Sequence, residues 1–141
     1  MPVQSYLFFD GRCEEALEFY KHALDAEVTF LMRFRDAPEP PPPGAIAPGS
    51  ENKVMHAEFR IAGTTLLASD GDCNGKPAFQ GMSLAVTLPS AAEVERAFAA
   101  LAEGGQVQMP LGKTFFADRF GMLTDRFGVG WTLLTEGRPG Q

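Results

Sequence analysis

YLFFDGRCEEALEFYKHAL, running from Tyr6 to Leu24, joins a short aromatic run to an Asp-Gly break and one amphipathic stretch. Tyr6-Leu7-Phe8-Phe9 suits a strand, because aromatic side chains pack well on a pleated surface. Asp10-Gly11 ends it and opens a helix. From Cys13 the apolar residues Ala16, Leu17, Tyr20 and Leu24 recur at helical spacing and leave Glu14, Glu15, Glu18, Lys21 and His22 outward. The acids stand in the first turn and Lys21 and His22 near the last, as the helix dipole prefers.

Downstream, alternation predicts strands at Glu27–Phe34, Val54–Ile61 and Thr64–Ser69, the last two joined by a tight turn at Ala62-Gly63. The second half repeats this order. A strand is expected at Met82–Leu88. Ser90 then caps a helix with Glu93 three residues on, and Val94, Ala97, Phe98 and Leu101 form its buried stripe. Gly104-Gly105 stops that helix, and strands follow at Gln106–Met109, around Phe116–Thr124 and at Trp131–Leu134. A shift of 77 residues lays Leu17, Tyr20 and Leu24 over Val94, Ala97 and Leu101. Each half therefore reads βαβββ: an α+β domain over residues 1–141, with one module at about 1–70 and a second at about 82–135. Residues 70–81, with Gly71, Gly75, Pro77 and Gly81, read as the linker.

Residues 37–50 hold six of the eleven prolines, with Pro40 to Pro43 consecutive, and predict an exposed polyproline loop. The loop could dock an SH3-type groove, which deletion of residues 38–48 would test; a stiff connection is the plainer reading.

At 141 residues the chain can bury a real core, and 45% hydrophobic with 21% charged residues is ordinary globular composition. The net charge of −6, without a Lys/Arg run, argues against nucleic acid as a partner. No apolar run approaches the roughly 20 residues of a membrane span, and no secretory leader opens the chain, so the expected location is cytoplasmic. The two cysteines, Cys13 and Cys73, read as free thiols; a helix start at Cys13 could lower its pKa.

A sheet with one helix covers only one of its faces. In the third strand Met55, Ala57, Phe59 and Ile61 share one face, expected beneath the helices, and His56, Glu58 and Arg60 share the other. Two such modules facing each other would leave a sheltered concavity, the usual form of a small-ligand site. His56 is the histidine of interest, while His22 belongs to a solvated helix face. The end of the chain repeats Asp-Arg-Phe-Gly, from Asp118 and again from Asp125, before Trp131 opens the last strand.

YLFFDGRCEEALEFYKHAL, MHAEF (55–59), LLASD (66–70) and RFGMLTDRFGVGW (119–131) resemble the PhnB-like proteins of the vicinal-oxygen-chelate superfamily, which includes glyoxalases, bleomycin-resistance proteins and extradiol dioxygenases. The resemblance spans nearly all of the chain outside the proline loop and the tail after Thr135. It implies a half-open mixed β-barrel with helices on the convex face, and a homodimer. Some members carry a demethylubiquinone methyltransferase label, yet no Gly-rich nucleotide loop follows an early strand here. Superfamily enzymes hold a divalent metal with His, Glu or Gln. Those slots fall on Ser5, Leu67 or Ala68, Met82 and Thr132; a one-residue slip gives Gln4 or Tyr6, Ser69, Ser83, and Trp131 or Leu133. Neither set offers the imidazole or carboxylate such metals want.

The reading is therefore a small-molecule-binding protein with no metal or other cofactor, its pocket formed by Tyr6, Phe8, His56, Glu58, Ser69 and Trp131. The alternative is a divalent-metal-dependent lyase, dioxygenase or resistance enzyme. It would use His56 and Glu58 as metal ligands or as a base with its orienting acid, completed by Asp70, Asp118, Asp125 or a partner subunit.

Overall fold

The computed structural model describes residues 3–39, 42–73 and 77–136. It comprises two compact units, divided in sequence between Pro77 and Ala78. The first contains β1 (Tyr6–Phe8), α1 (Cys13–Leu24), β2 (Glu27–Arg33), β3 (Val54–Ile61) and β4 (Thr64–Ser69), ordered β1-β4-β3-β2 in one mixed sheet. The second contains β5 (Leu84–Leu88), α2 (Ala91–Ala102), β6 (Gln106–Gly112), β7 (Phe120–Thr124) and β8 (Gly130–Thr135), ordered β5-β8-β7-β6. In each sheet the first strand runs parallel to the last and the other pairings are antiparallel. The α+β architecture of two βαβββ units is the one the sequence predicts.

In the first unit α1 buries Ala16, Leu17, Tyr20 and Leu24. Tyr20 stacks on Phe59 at 6.2 Å, and Ala57, Phe59 and Ile61 are buried on the same sheet face. That face is closed by burial of apolar area, at roughly 25 cal/mol per Å². His56 and Glu58, one residue out of phase, lie on the opposite face.

In the second unit Val94, Ala97, Phe98 and Leu101 of α2 are buried with Leu123, Trp131 and Leu133. Gly121 is obligatory there: a Cβ at that position would come within 2.9 Å of the Phe98 ring and of Leu111. Ser90 caps α2, its Oγ accepting the Glu93 N–H at 3.2 Å.

The strand expected around Phe116–Thr124 begins later, at Phe120. The Thr114 hydroxyl accepts the N–H groups of Phe116 (3.3 Å) and Ala117 (3.1 Å), closing a side-chain turn that diverts the backbone from the ladder. Of the proline run, Pro40 and Pro41 lie outside the described residues; Pro42 and Pro43 are exposed. Gly75 of the linker also lies outside them.

Candidate functional site

The face of the first sheet opposite α1 gathers side chains from three strands. β1 contributes Tyr6 and Phe8, which stack at 4.7 Å with planes only 9° apart. β3 contributes His56, whose ring meets Tyr6 edge-on at 5.6 Å and Phe30 of β2 at 6.0 Å. Glu58 stands level with Phe30 on one side and Leu67 on the other. Tyr6, Phe8 and Phe30 are 42%, 46% and 40% exposed, unusual for large aromatics on a sheet.

The phenol of Tyr6 lies 2.9 Å from Nδ1 of His56. With the phenol donating, Nδ1 accepts and Nε2 keeps the imidazole proton. Burial raises the Tyr6 pKa and the nearby Cys13 thiol raises it further, while the Ser69 hydroxyl works the other way. The phenol therefore remains a hydrogen-bond donor at neutral pH.

Two of the expected ligand contacts are buried. Ser69 is 4% exposed, its Oγ donating to the Met55 carbonyl at 2.7 Å and accepting the Gly71 N–H at 3.0 Å. Its hydroxyl thus pins β4 to β3 beside Tyr6. Trp131 is 1% exposed, and its indole N–H donates to Asp125 Oδ2 at 2.8 Å. It is a core residue of the second unit, because its strand register puts it with Leu133 and Leu123 on the α2 side.

Two of the three aspartates considered for completing a metal set, Asp70 and Asp125, are engaged elsewhere. Asp70 is buried, with Oδ1 accepting from Gly11 N (2.7 Å) and Cys13 N (2.8 Å) and Oδ2 from Val54 N (2.8 Å). Asp125 Oδ1 accepts from Phe127 N (2.8 Å) and Val129 N (3.1 Å). Asp118 is exposed. Among the slots assigned by resemblance, Ser83 and Thr132 meet hydroxyl to hydroxyl at 2.7 Å, an arrangement with neither imidazole nor carboxylate. No group of three or more His, Cys, Asp or Glu suited to a metal ion occurs among the described residues. The residues present do not fit the superfamily metal.

Cys13 is no nucleophile. Burial pushes its thiol well above the usual range, and the carboxylates of Asp70 and Glu14 add to the shift, so the expected lowering by the helix start is overturned. His22 is exposed on α1, as predicted.

Two clefts were not anticipated. One of about 600 Å³ in the first unit is lined by Glu14, Glu18, Arg33, Arg35 and Lys53. Its charges are largely satisfied internally: Arg33 reaches Glu14 at 2.6 Å, and Lys53 donates to the Gly11 carbonyl at 2.8 Å. The other, about 370 Å³ in the second unit, is lined by Phe79, Met82, Ser83, Gln108, Met122 and the expected Trp131 among others, with no charged side chain. Local strand patterns cannot reveal either, since both combine segments distant in sequence.

The sequence matches the family described as 3-demethylubiquinone-9 3-methyltransferase over residues 2–134. The chain belongs to that family. Protein YjdN of Escherichia coli K12 is 34% identical over 140 residues, 94% of each chain. The crystal structure of protein PA1353 from Pseudomonas aeruginosa is 41% identical, covers 96% of this chain and 98% of its own, and superposes with a TM-score of 0.82. A Bacillus cereus structure titled a putative 3-demethylubiquinone-9 3-methyltransferase, PhnB protein, is 32% identical over 96% of this chain and all of its own, at 0.78. Two more distant structures share the fold alone. A glyoxylase/bleomycin resistance protein/dioxygenase domain from Frankia sp. EAN1pec is 15% identical over 100% and 95% of the two chains, at 0.67. The fosfomycin resistance protein FosX from Listeria monocytogenes is 14% identical over 96% and 93%, at 0.63. The family is thus PhnB-like, with the glyoxalase/bleomycin-resistance fold of the vicinal-oxygen-chelate superfamily.

Proposed function

We propose that the open face of the first sheet is one wall of a small-molecule site, and that this family member binds its ligand without a metal. The observation that carries the reading is the exposed, contiguous cluster of Tyr6, Phe8 and Phe30 around a tethered imidazole, with Glu58 at its margin. Apolar walls with a few fixed polar groups are what small-ligand sites require. Methyl transfer, named in the family description, is not part of the proposal, since no Gly-rich nucleotide loop follows an early strand. The protein is proposed to act as a cytoplasmic homodimer. Among the described residues no helix is long and apolar enough to cross a membrane.

A heteronuclear NMR titration of the full chain with 1-naphthol tests the wall. Shifts should concentrate at Tyr6, Phe8, Phe30 and His56 and vanish in a Tyr6→Ala/Phe8→Ala variant. Shifts confined to other residues would remove the proposal. Elemental analysis of the purified protein should find only substoichiometric zinc, iron and manganese; a stoichiometric metal lost in His56→Ala would instead establish the enzyme alternative. Sedimentation velocity checks the dimer.

A further inference from the structure

We infer that the ligand of this wall is an organic cation, an alkylammonium group held against the rings with Glu58 as its counter-charge. The inference rests on the reading of the open face as a binding wall and adds the chemistry of what binds there.

The polar groups of the cluster are mostly committed to one another. The Tyr6 phenol and His56 Nδ1 are tied together, and the Ser69 hydroxyl holds backbone. Glu58 differs. Its carbonyl accepts from Thr29, but its carboxylate has no hydrogen bond or ion pair among the described residues. Of the cations nearby, Arg60, two residues along the same face, stands level with Glu27 on the neighbouring strand, and Arg33 is held by Glu14 and by the Asn52 carbonyl. Among the described residues no Lys or Arg is paired with Glu58, so an anion would meet its carboxylate without compensation.

The rings supply the second attraction. An aromatic face carries partial negative charge, and a cation within about 6 Å of its centroid is drawn to it. Tyr6 and Phe8 share nearly one plane direction, while His56 is inclined 67° to Tyr6 and Phe30 is inclined 51° to His56. Rings so inclined do not make one flat platform for a neutral ring to stack on, and an ammonium group can meet more than one of their faces. The net charge of −6 also favours approach of a cation over an anion.

The test compares choline with its neutral isostere, 3,3-dimethylbutan-1-ol, and with acetate, each titrated into the full chain and followed by NMR. Choline should bind about tenfold more tightly than the alcohol, with shifts at Tyr6, Phe8, Phe30 and His56. Glu58→Gln and Phe30→Leu should each weaken choline several-fold and weaken the alcohol less, so that the preference for choline shrinks. Both positions are at least partly exposed, so these variants should fold, which one-dimensional spectra will verify. Added salt should weaken choline alone. Equal affinity for choline and the alcohol at the same residues would overturn the cation inference and keep the wall. Preference for acetate would overturn it likewise. If none of the probes, 1-naphthol included, perturbs these four residues, the wall and the inference fail together.

Discussion

Each unit buries one aspartate, and the two are used on different scales. Asp125 serves its own neighbourhood: Phe127 N, Val129 N and the Trp131 indole, all within six residues, donate to it. Asp70 joins segments far apart in sequence, taking Gly11 N and Cys13 N from 59 and 57 residues away and Val54 N from 16. One carboxylate shapes a turn. The other holds the start of α1 and the start of β3 against the end of β4, standing in for the side-chain cap that Arg12 does not provide.

The largest expected break in this comparison is therefore Asp70→Ala. It strips three buried or partly buried N–H groups of a charged acceptor and should cost about 3–5 kcal/mol in urea unfolding. It should also open Cys13 to a thiol reagent that leaves the parent thiol untouched. Asp125→Ala strips Phe127 N, Val129 N and the Trp131 indole of their acceptor, but its local loop can rearrange toward water, and about 2–3 kcal/mol is expected in the same measurement. Equal losses would show that the scale of the tie does not matter.

Ser90→Ala tests the ordinary cap of α2 against the distant cap of α1 and should cost about 1 kcal/mol by thermal unfolding. The smallest effect belongs to the exposed pair Glu14–Arg33. The Arg33 guanidinium holds the Glu14 carboxyl below its usual value. Its stabilisation is complete above the ordinary carboxylate range and is lost as pH falls through the lowered folded-state pKa. Glu14→Gln should flatten the acid limb of the stability profile slightly, and 1 M salt should shrink the difference further.

What was legible in the sequence follows the same division. Val54–Ile61 and Thr64–Ser69 were read to the residue because alternation and the Ala62-Gly63 turn are local signals. The placement of His56 and Glu58 opposite Ala57 and Phe59 came from strand parity alone. An aromatic at a strand start reads equally well as ligand wall or core: the structure buries Trp131 against Asp125 while it also lines the cleft of the second unit, and neither is visible without the turn geometry. The meeting of Tyr6 with His56 was also hidden: β1 and β3 are separated by β4 in the sheet, an order that no spacing in the chain reveals.

One outermost strand of each sheet, β2 in the first and β6 in the second, bears on solubility. Each breaks register with its neighbour twice, and β6 contains Pro110, which has no N–H to offer an incoming strand. Irregular, proline-bearing borders are poor templates for adding another β-strand. A concentrated solution of this protein should accordingly resist fibre growth along these two borders, and copies that do meet there should do so through side chains and not by lengthening a sheet.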